Sequence, residues 1–121
     1  MKRNTQIFLL LITVFILISC TQQGNPTPMD VLKSNPKADI FLFEGLVYRN
    51  ASDLDWVTER DISKGKLVGE IQRVSTKKFK NGTATKLPVG AKIYLSIESS
   101  EDILIVEYKD KEILYLGLYE G

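Results

Sequence analysis

The sequence predicts a mostly β (α+β) fold, a small bent antiparallel sheet or partly open barrel of about five strands with one short helix at one end. Three observations predict it. The apolar runs have strand length, and turn-forming residues separate them at short intervals. Apolar residues also alternate in the last run, at 112–119, with the period of two that is typical of a strand.

The first predicted strand covers residues 40–48, which read IFLFEGLVY. This run is apolar on both faces except at Glu44, so we expect one central strand. Gly45 inside the run predicts a bulge or a close approach of another backbone.

A short helix of about two turns is predicted within residues 50–59. Ser52 with Asp55 three residues later is a variant of the capping box. Leu54 and Val57 are three residues apart, so both side chains can face the core.

Two further strands are predicted at 66–75 and 92–97. Between them, Asn81-Gly82 is a hairpin signal, and the LPVG run at 87–90 suits a type II turn.

A terminal hairpin is the clearest prediction in the chain. Strands at 103–108 and 112–119 flank a charged turn at 109–111. Leu116 is expected in the core, with Leu114 and Leu118 on the same side of the last strand.

The N-terminal segment predicts a secretory signal. Lys2-Arg3 precede an apolar run from Ile7 to Ile18, which is too short for an ordinary membrane-spanning helix. The run closes on LISC at 17–20, which resembles the lipobox of bacterial lipoproteins. This resemblance implies cleavage between Ser19 and Cys20 and a diacylglyceryl group on the Cys20 thiol. The alternative is an uncleaved signal anchor in which Cys20 is an ordinary residue.

The expected domain organisation follows from this cleavage site. Residues 1–19 are a lipoprotein signal peptide, 20–37 an acylated cysteine with a flexible tether, and 38–121 a globular β-rich domain. The tether is predicted because residues 21–28 read TQQGNPTP, a composition that cannot build a core. Residues 29–34 have the pattern of one helical turn, which Asn35-Pro36 would end. The expected location is the extracytoplasmic face of the cell membrane.

Composition limits the chemistry that the domain can perform. The expected mature chain has 14 basic and 15 acidic residues, a balance that gives no argument for nucleic-acid binding. The chain has no histidine, and its single cysteine lies in the lipobox, so the common nucleophilic constellations and Cys/His zinc sites are absent. We therefore expect no enzyme activity, no metal and no cofactor.

The segment from Gly45 to Gly121 resembles a group of small, mostly uncharacterised lipoproteins and secreted proteins of Bacillus-type bacteria. The resemblance implies a Gram-positive origin and supports the domain boundary, and it implies no particular activity. It is carried by these runs: NASD at 50–53, WV at 56–57, GEI at 69–71, KLPVGAKIY at 86–94, ILIV at 103–106 and YLG at 115–117.

Acidic residues form two groups in the sequence. Asp53, Asp55, Glu59 and Asp61 surround Trp56, and a second group, at 98–102, lies in a predicted loop. The first group suggests a calcium site or a sugar-binding edge, although its spacing does not match an EF-hand loop. The simpler interpretation is a solvated helix whose N-terminal acids interact with its dipole.

A basic stretch and an aromatic residue supply the candidate interaction residues. Around Phe79 lie the basic residues Arg73, Lys77, Lys78, Lys80 and Lys86, and this stretch is a candidate contact for anionic headgroups or wall polymers. The alternative is a solvated loop with Phe79 packed onto the sheet. Trp56, the only tryptophan, is either a core residue or, if exposed, a candidate anchor for a protein partner.

The expected function is that of a lipid-anchored extracytoplasmic binding module, with the membrane and an envelope protein as partners. One version of this role is to block or modulate that protein. The alternatives are a protein that binds or acts on cell-wall glycans through the acidic groups, and a structural envelope lipoprotein without a specific ligand. A deep cleft joining the two acidic groups would favour the glycan hypothesis.

Overall fold

A computed structural model describes residues 24–97 and 102–120, and these residues form one curled, open β-sheet with two short helices on its outer face. The mostly β class is confirmed, but the expected number of about five strands is wrong, since the described residues form eight. The sheet order is β3-β6-β7-β8-β2-β1-β5-β4. The elements are α1 (Pro28–Ser34), β1 (Ile40–Phe43), β2 (Leu46–Asn50), α2 (Asp55–Thr58), β3 (Ser63–Glu70), β4 (Arg73–Val74), β5 (Thr83–Ala84), β6 (Lys92–Ile97), β7 (Ile103–Tyr108) and β8 (Lys111–Gly117).

The sheet curls because its two edge strands are consecutive in the chain. Only Ile71 and Gln72 separate β3, at one edge, from β4, at the other. Ile71 is fully buried, its N–H donates to the Ala91 carbonyl (2.8 Å), and its carbonyl accepts from the Gly90 N–H (2.9 Å). The chain thus passes from one edge of the sheet to the other through the core.

Glycine permits the close approach of the edge strand β3 to β1 across the curl. A Cβ atom on Gly69 of β3 would lie 2.8 Å from the Phe43 ring of β1, a distance that real Cβ atoms essentially never show. The neighbouring strand pairs are antiparallel, apart from the parallel pair β4–β5.

The main core fills the inside of the curl. Phe41 and Tyr48 stack at 5.3 Å, and the Tyr115 ring meets Phe41 edge-on at 5.0 Å. These rings pack with aliphatic side chains, among them Ile71, Leu87, Ile93, Leu104 and Val106. Side chains alternate between the two faces of a strand, so the neighbours of these residues point outward.

The two helices cover parts of the outer face. Leu32 of α1 packs with Ile40 and Val47. Val57 of α2 packs with Ala51 and Ile103. Both faces of the central strands are therefore buried in places, which explains why β1 and β2 are apolar on both faces.

The run at 40–48 is a hairpin, and the prediction of one central strand is wrong. Glu44 (φ 50°) and Gly45 (φ 78°) form a two-residue turn of the I′ kind, so Phe43 pairs with Leu46. Glutamate is unusual at a positive φ, and here the Asn81 side chain makes two hydrogen bonds to Glu44, one as acceptor and one as donor. Asn81 Oδ1 accepts from the Glu44 N–H (2.9 Å), and Asn81 Nδ2 donates to Glu44 Oε1 (3.2 Å).

The hairpin predicted at Asn81-Gly82 is also wrong. Gly82 does adopt a positive φ of 85°, but the strands on either side of this loop, β4 and β5, run parallel. The expected strand at 66–75 is divided at Ile71, where the chain crosses the core.

Two capping arrangements differ from expectation. Leu54 is the N-cap of α2 and supplies no side-chain cap, so the predicted Ser52–Asp55 capping box does not form. α1 has the true capping box: the Asp30 N–H donates to Thr27 Oγ1, and the Thr27 N–H donates to the Asp30 carboxylate. Bonding from Thr27 lowers the pKa of Asp30. The helical turn predicted at 29–34 is confirmed, and it is part of a capped helix, Pro28–Ser34, whose Leu32 packs on the sheet.

The terminal hairpin forms as predicted, but its leucines face the other way. β7 and β8 pair around Lys109 and Asp110, which have φ of 51° and 63°. Tyr115 is the fully buried residue on the inner face. Leu114 and Leu116 pack with the α2 cluster outside, and Leu118 joins the α1 cluster beyond the strand. A tyrosine can occupy this inward position because its hydroxyl is hydrogen-bonded to the Asp39 carboxylate at the end of the curl.

This register predicts unequal effects at two adjacent positions. Tyr115→Ala should lower the free energy of unfolding by about 3–5 kcal/mol, because it empties the centre of the core. Leu116→Ala should cost about 1–2 kcal/mol, since Leu116 is only partly buried. Urea unfolding followed by Trp56 fluorescence measures both. A larger loss for Leu116→Ala than for Tyr115→Ala would show that the register is wrong.

Candidate functional site

A polar groove of about 750 Å³ lies beside α1, where the helix crosses the ends of β1 and β2. Helix capping and the packing of Leu32 fix one wall, and the β1–β2 pair fixes the other. Val31 and Ile40 supply apolar lining. The charged and amide side chains that line the groove are Asp30, Asn35, Lys37, Asp39, Arg49, Asn50, Asp53 and Lys86.

Asp39 is the most firmly held carboxylate of this groove. The Tyr115 hydroxyl lies 2.9 Å from Asp39 Oδ1 and 3.0 Å from Oδ2, and Asn50 Nδ2 donates to Oδ2 at 2.9 Å. The Asn50 N–H also donates to the Asp39 carbonyl (2.9 Å). The groove is therefore connected to the main core through Tyr115, whose ring is fully buried.

The surroundings of Tyr115 keep its hydroxyl neutral. Burial raises the pKa of Tyr115 strongly, and the negative charge of Asp39 and the hydrogen bond to it raise it further. Tyr115 therefore acts as a permanent donor that orients Asp39.

Arg49 and Asp53 form an ion pair at the rim. Arg49 Nη2 is 2.9 Å from each carboxylate oxygen of Asp53. Both side chains are substantially exposed, so the pair contributes at most about 1 kcal/mol to stability. Its structural effect is to hold the guanidinium against the turn that follows β2.

Lys37 and Lys86 supply the remaining positive charge. Within residues 24–97 and 102–120, neither ammonium group lies within ion-pair distance of a carboxylate. The groove thus presents two unpaired cations next to a fixed carboxylate and an amide. This arrangement can bind a ligand that carries both acceptors and donors, such as a polar peptide segment.

Trp56 is on the surface, and the interpretation of it as a core residue is wrong. Its side chain is 45% exposed, with the Arg60 guanidinium 5.4 Å from the ring centroid. α2 has only four residues, and Val57 and Leu54 occupy its inward positions. Trp56 is therefore directed outward.

In the basic loop, Phe79 packs inward while the lysines point out. Phe79 packs against the α1 cluster of Leu32, Ile40 and Val47. Lys77, Lys78 and Lys80 are exposed. Ser75 Oγ accepts from the N–H groups of Lys77 and Lys78 (3.1 Å each), and Thr83 Oγ1 accepts from the Lys80 N–H (3.0 Å). The loop therefore has a defined backbone conformation.

The acidic residues are dispersed. Asp53 pairs with Arg49 at the groove, whereas Asp55, Glu59 and Asp61 are exposed along and after α2. No three His, Cys, Asp or Glu residues converge on a possible metal position in the described part of the chain. Glu98 and Glu101 lie outside the described residues, so the cleft between the two acidic groups stays a prediction. Ser19 and Cys20 also lie outside them.

The sequence analysis did not single out the groove residues Lys37, Asp39, Arg49 and Asn50, and it placed Lys86 in the basic stretch rather than in a groove. One available signal was that Asp39 directly precedes the apolar run at 40–48 and that Arg49-Asn50 directly follow it. If that run is a hairpin, its two ends are neighbours, and the three polar side chains come together.

Comparisons with known proteins add no relative: no family model matches the chain, and neither curated proteins nor solved structures give a match. The resemblance to Bacillus-type lipoproteins therefore stays a prediction. Across 24–97 and 102–120, neither helix has the length and apolar character needed to cross a bilayer.

The buried tyrosines predict a loss of stability at alkaline pH. Burial raises the pKa of Tyr48 to about 12, and the pKa of Tyr115 is raised further. The unfolded chain ionises at about pH 10, so the stabilisation is complete below that pH and is lost as pH rises through about 12. Thermal unfolding across this range should show the melting temperature falling steeply above about pH 10.

Two variants separate the contributions. Tyr115→Phe should lower stability at neutral pH by about 1–2 kcal/mol, because Asp39 loses a donor, and should make the alkaline decline shallower. Tyr48→Phe should also make the decline shallower. An alkaline decline as steep as that of the wild type in both variants would contradict this assignment.

Proposed function

We propose that this protein is a lipid-anchored binding module of the bacterial cell envelope, held at the extracytoplasmic face of the membrane through Cys20. The observation that carries the proposal is the LISC run at 17–20, placed directly after a basic start and a short apolar segment. Acylation of Cys20 would leave the β-rich domain outside the membrane, close to its surface.

The groove beside α1 supports a binding role for this domain. It combines the fixed Asp39 carboxylate with the unpaired ammonium groups of Lys37 and Lys86. The ligand class that fits this set is a charged, extended peptide segment of an envelope protein. Such binding would let the module block or modulate its partner.

A second candidate function is binding or processing of cell-wall glycans. It is favoured by the exposed Trp56 next to Asp55, since a solvent-facing aromatic ring beside carboxylates suits a sugar face and its hydroxyl groups. This candidate uses the α2 surface and leaves the groove unused.

Anchoring through Cys20 predicts the loss of lipid in one variant. Cys20→Ala should abolish incorporation of a fatty-acid probe, because the thiol receives the diacylglyceryl group. Thr21→Ala, at the adjacent position, is the matched control and should label like the wild type. Undiminished labelling of Cys20→Ala would disprove the lipobox assignment.

Partner binding at the groove predicts a site-specific cross-link. A photoreactive residue at Ser52, which is exposed at the groove, should give a protein adduct in intact cells. Charge reversal at Lys37 and Lys86 to Glu should remove the adduct, whereas the same change at Lys66 and Lys111 should not. Adducts that survive the Lys37/Lys86 change would contradict groove binding. Retention of the protein on isolated wall glycan that Trp56→Ala abolishes would favour the second function.

A further inference from the structure

The charges of this domain are separated between the two halves of the sheet. Segments 24–50 and 71–91 contain α1 and the half β2-β1-β5-β4, and they carry eight basic and three acidic residues. Segments 51–70, 92–97 and 102–120 contain α2 and the half β8-β7-β6-β3, and they carry six basic and ten acidic residues. The nearly balanced total charge therefore consists of one half at +5 and one half at −4.

The positive half has an ordered basic surface. Phe79 and α1 pack on the same cluster over β1, so the loop at 75–82 and α1 are neighbours on the outer face. Lys77, Lys78 and Lys80 project from the loop. Met29 and Lys33 share the exposed side of α1, where Met29 is 46% exposed.

The carboxylates of the positive half are held by internal bonds. Thr27 donates to Asp30, Tyr115 and Asn50 donate to Asp39, and Asn81 donates to Glu44. Their charges reduce the positive potential but do not cancel it.

The anchor is expected at this same end of the domain. Three residues, 21–23, separate Cys20 from Gly24, where the described chain starts, and the four residue steps from Cys20 to Gly24 cover at most about 14 Å. The packed structure begins soon afterwards, because Asn25 Oδ1 accepts from the Glu120 N–H (2.9 Å) and Thr27 caps α1. A lipid on Cys20 would therefore keep α1 near the headgroups.

We infer that the surface formed by Met29, Lys33, Lys77, Lys78 and Lys80 lies against an anionic lipid bilayer and turns the negative half of the sheet away from the membrane. This inference rests on the proposed anchoring at Cys20. The ligand is the phosphate group of anionic lipid headgroups. Lysine side chains attract these phosphates at short range, whereas the negative charge of the other half of the sheet is repelled by them. The domain would therefore have a preferred orientation on the membrane.

The test uses the full lipidated protein, purified from membranes and reconstituted into vesicles. An environment-sensitive fluorophore is attached at Thr76→Cys, beside the basic loop, or at Ser63→Cys, at the start of β3 in the negative half. Phospholipid with a nitroxide headgroup quenches a fluorophore that is close to the surface. The vesicles contain either phosphatidylcholine alone or equal parts of phosphatidylcholine and phosphatidylglycerol.

The expected result is stronger quenching at residue 76 than at residue 63 in the anionic vesicles, and a smaller difference in the neutral ones. Raising salt from about 0.1 M to 1 M should reduce that difference, because the Debye length falls from about 10 Å to about 3 Å. Changing Lys77, Lys78 and Lys80 to Gln should have the same effect. The matched control, Lys66, Lys109 and Lys111 to Gln, removes equal charge from the other half and should preserve the difference.

Equal quenching at the two positions in anionic vesicles would overturn the inference. So would a label at residue 76 that responds to soluble poly(glycerol phosphate) but not to vesicles, since the basic surface would then bind wall polymer. Labelling of the wild-type protein distinguishes this outcome from failure of the anchor. Its only cysteine is Cys20, so reaction of the wild type with the thiol-reactive fluorophore would show that Cys20 is not acylated.

Discussion

The crossing of the chain at Ile71 is the constraint on which the rest of the structure depends. One uninterrupted stretch, 63–74, supplies both edges of the sheet, so the sheet must curl until its edges approach each other. Ile71 is buried there with both backbone groups bonded to the 90–91 turn, which avoids the cost of unpaired polar groups in the core. Gly69 makes the approach possible because a side chain would collide with Phe43. The inward ring of Tyr115 and the position of Asp39 both follow from the curl that this crossing imposes.

Local sequence patterns predicted the elements whose partners are near in the chain. β6 and the β7–β8 hairpin have the predicted bounds to within a few residues, because alternation and a short charged turn determine them. The hairpin at 44–45 was missed because its turn is Glu-Gly, and its positive-φ glutamate depends on Asn81, far along the chain. Conversely, Asn81-Gly82 has the conformational freedom of a hairpin turn, yet the chain crossing at Ile71 makes its flanking strands parallel. Such long-range contacts leave no trace in a short window of sequence.

The groove illustrates the same limit for the candidate site. Asp39, Asn50 and Tyr115 come from three separate parts of the chain, and the pairing of β2 with β1 and β8 brings them together. The loop lysines were identified from composition alone, because a run of basic residues needs no partner to be recognised. Their relation to α1 was not, since it depends on Phe79 packing against Leu32 and its neighbours. Sequence alone left two positions open for Phe79 and for Trp56; Phe79 packs inward, and Trp56 is exposed because α2 is too short to bury it.

The pairing of β2 with β8 has a consequence for the order of folding. This pair joins Tyr48 to Gly117 in the centre of the sheet. The β1–β2 and β7–β8 hairpins can form from local contacts, but the two halves of the sheet join only when β8 pairs with β2. Before β8 is in place, β2 has an unpaired edge, a position open to wrong pairing with other strands. Completion of the sheet therefore depends on β8, and any event that delays or displaces β8 leaves the centre of the sheet exposed to such pairing.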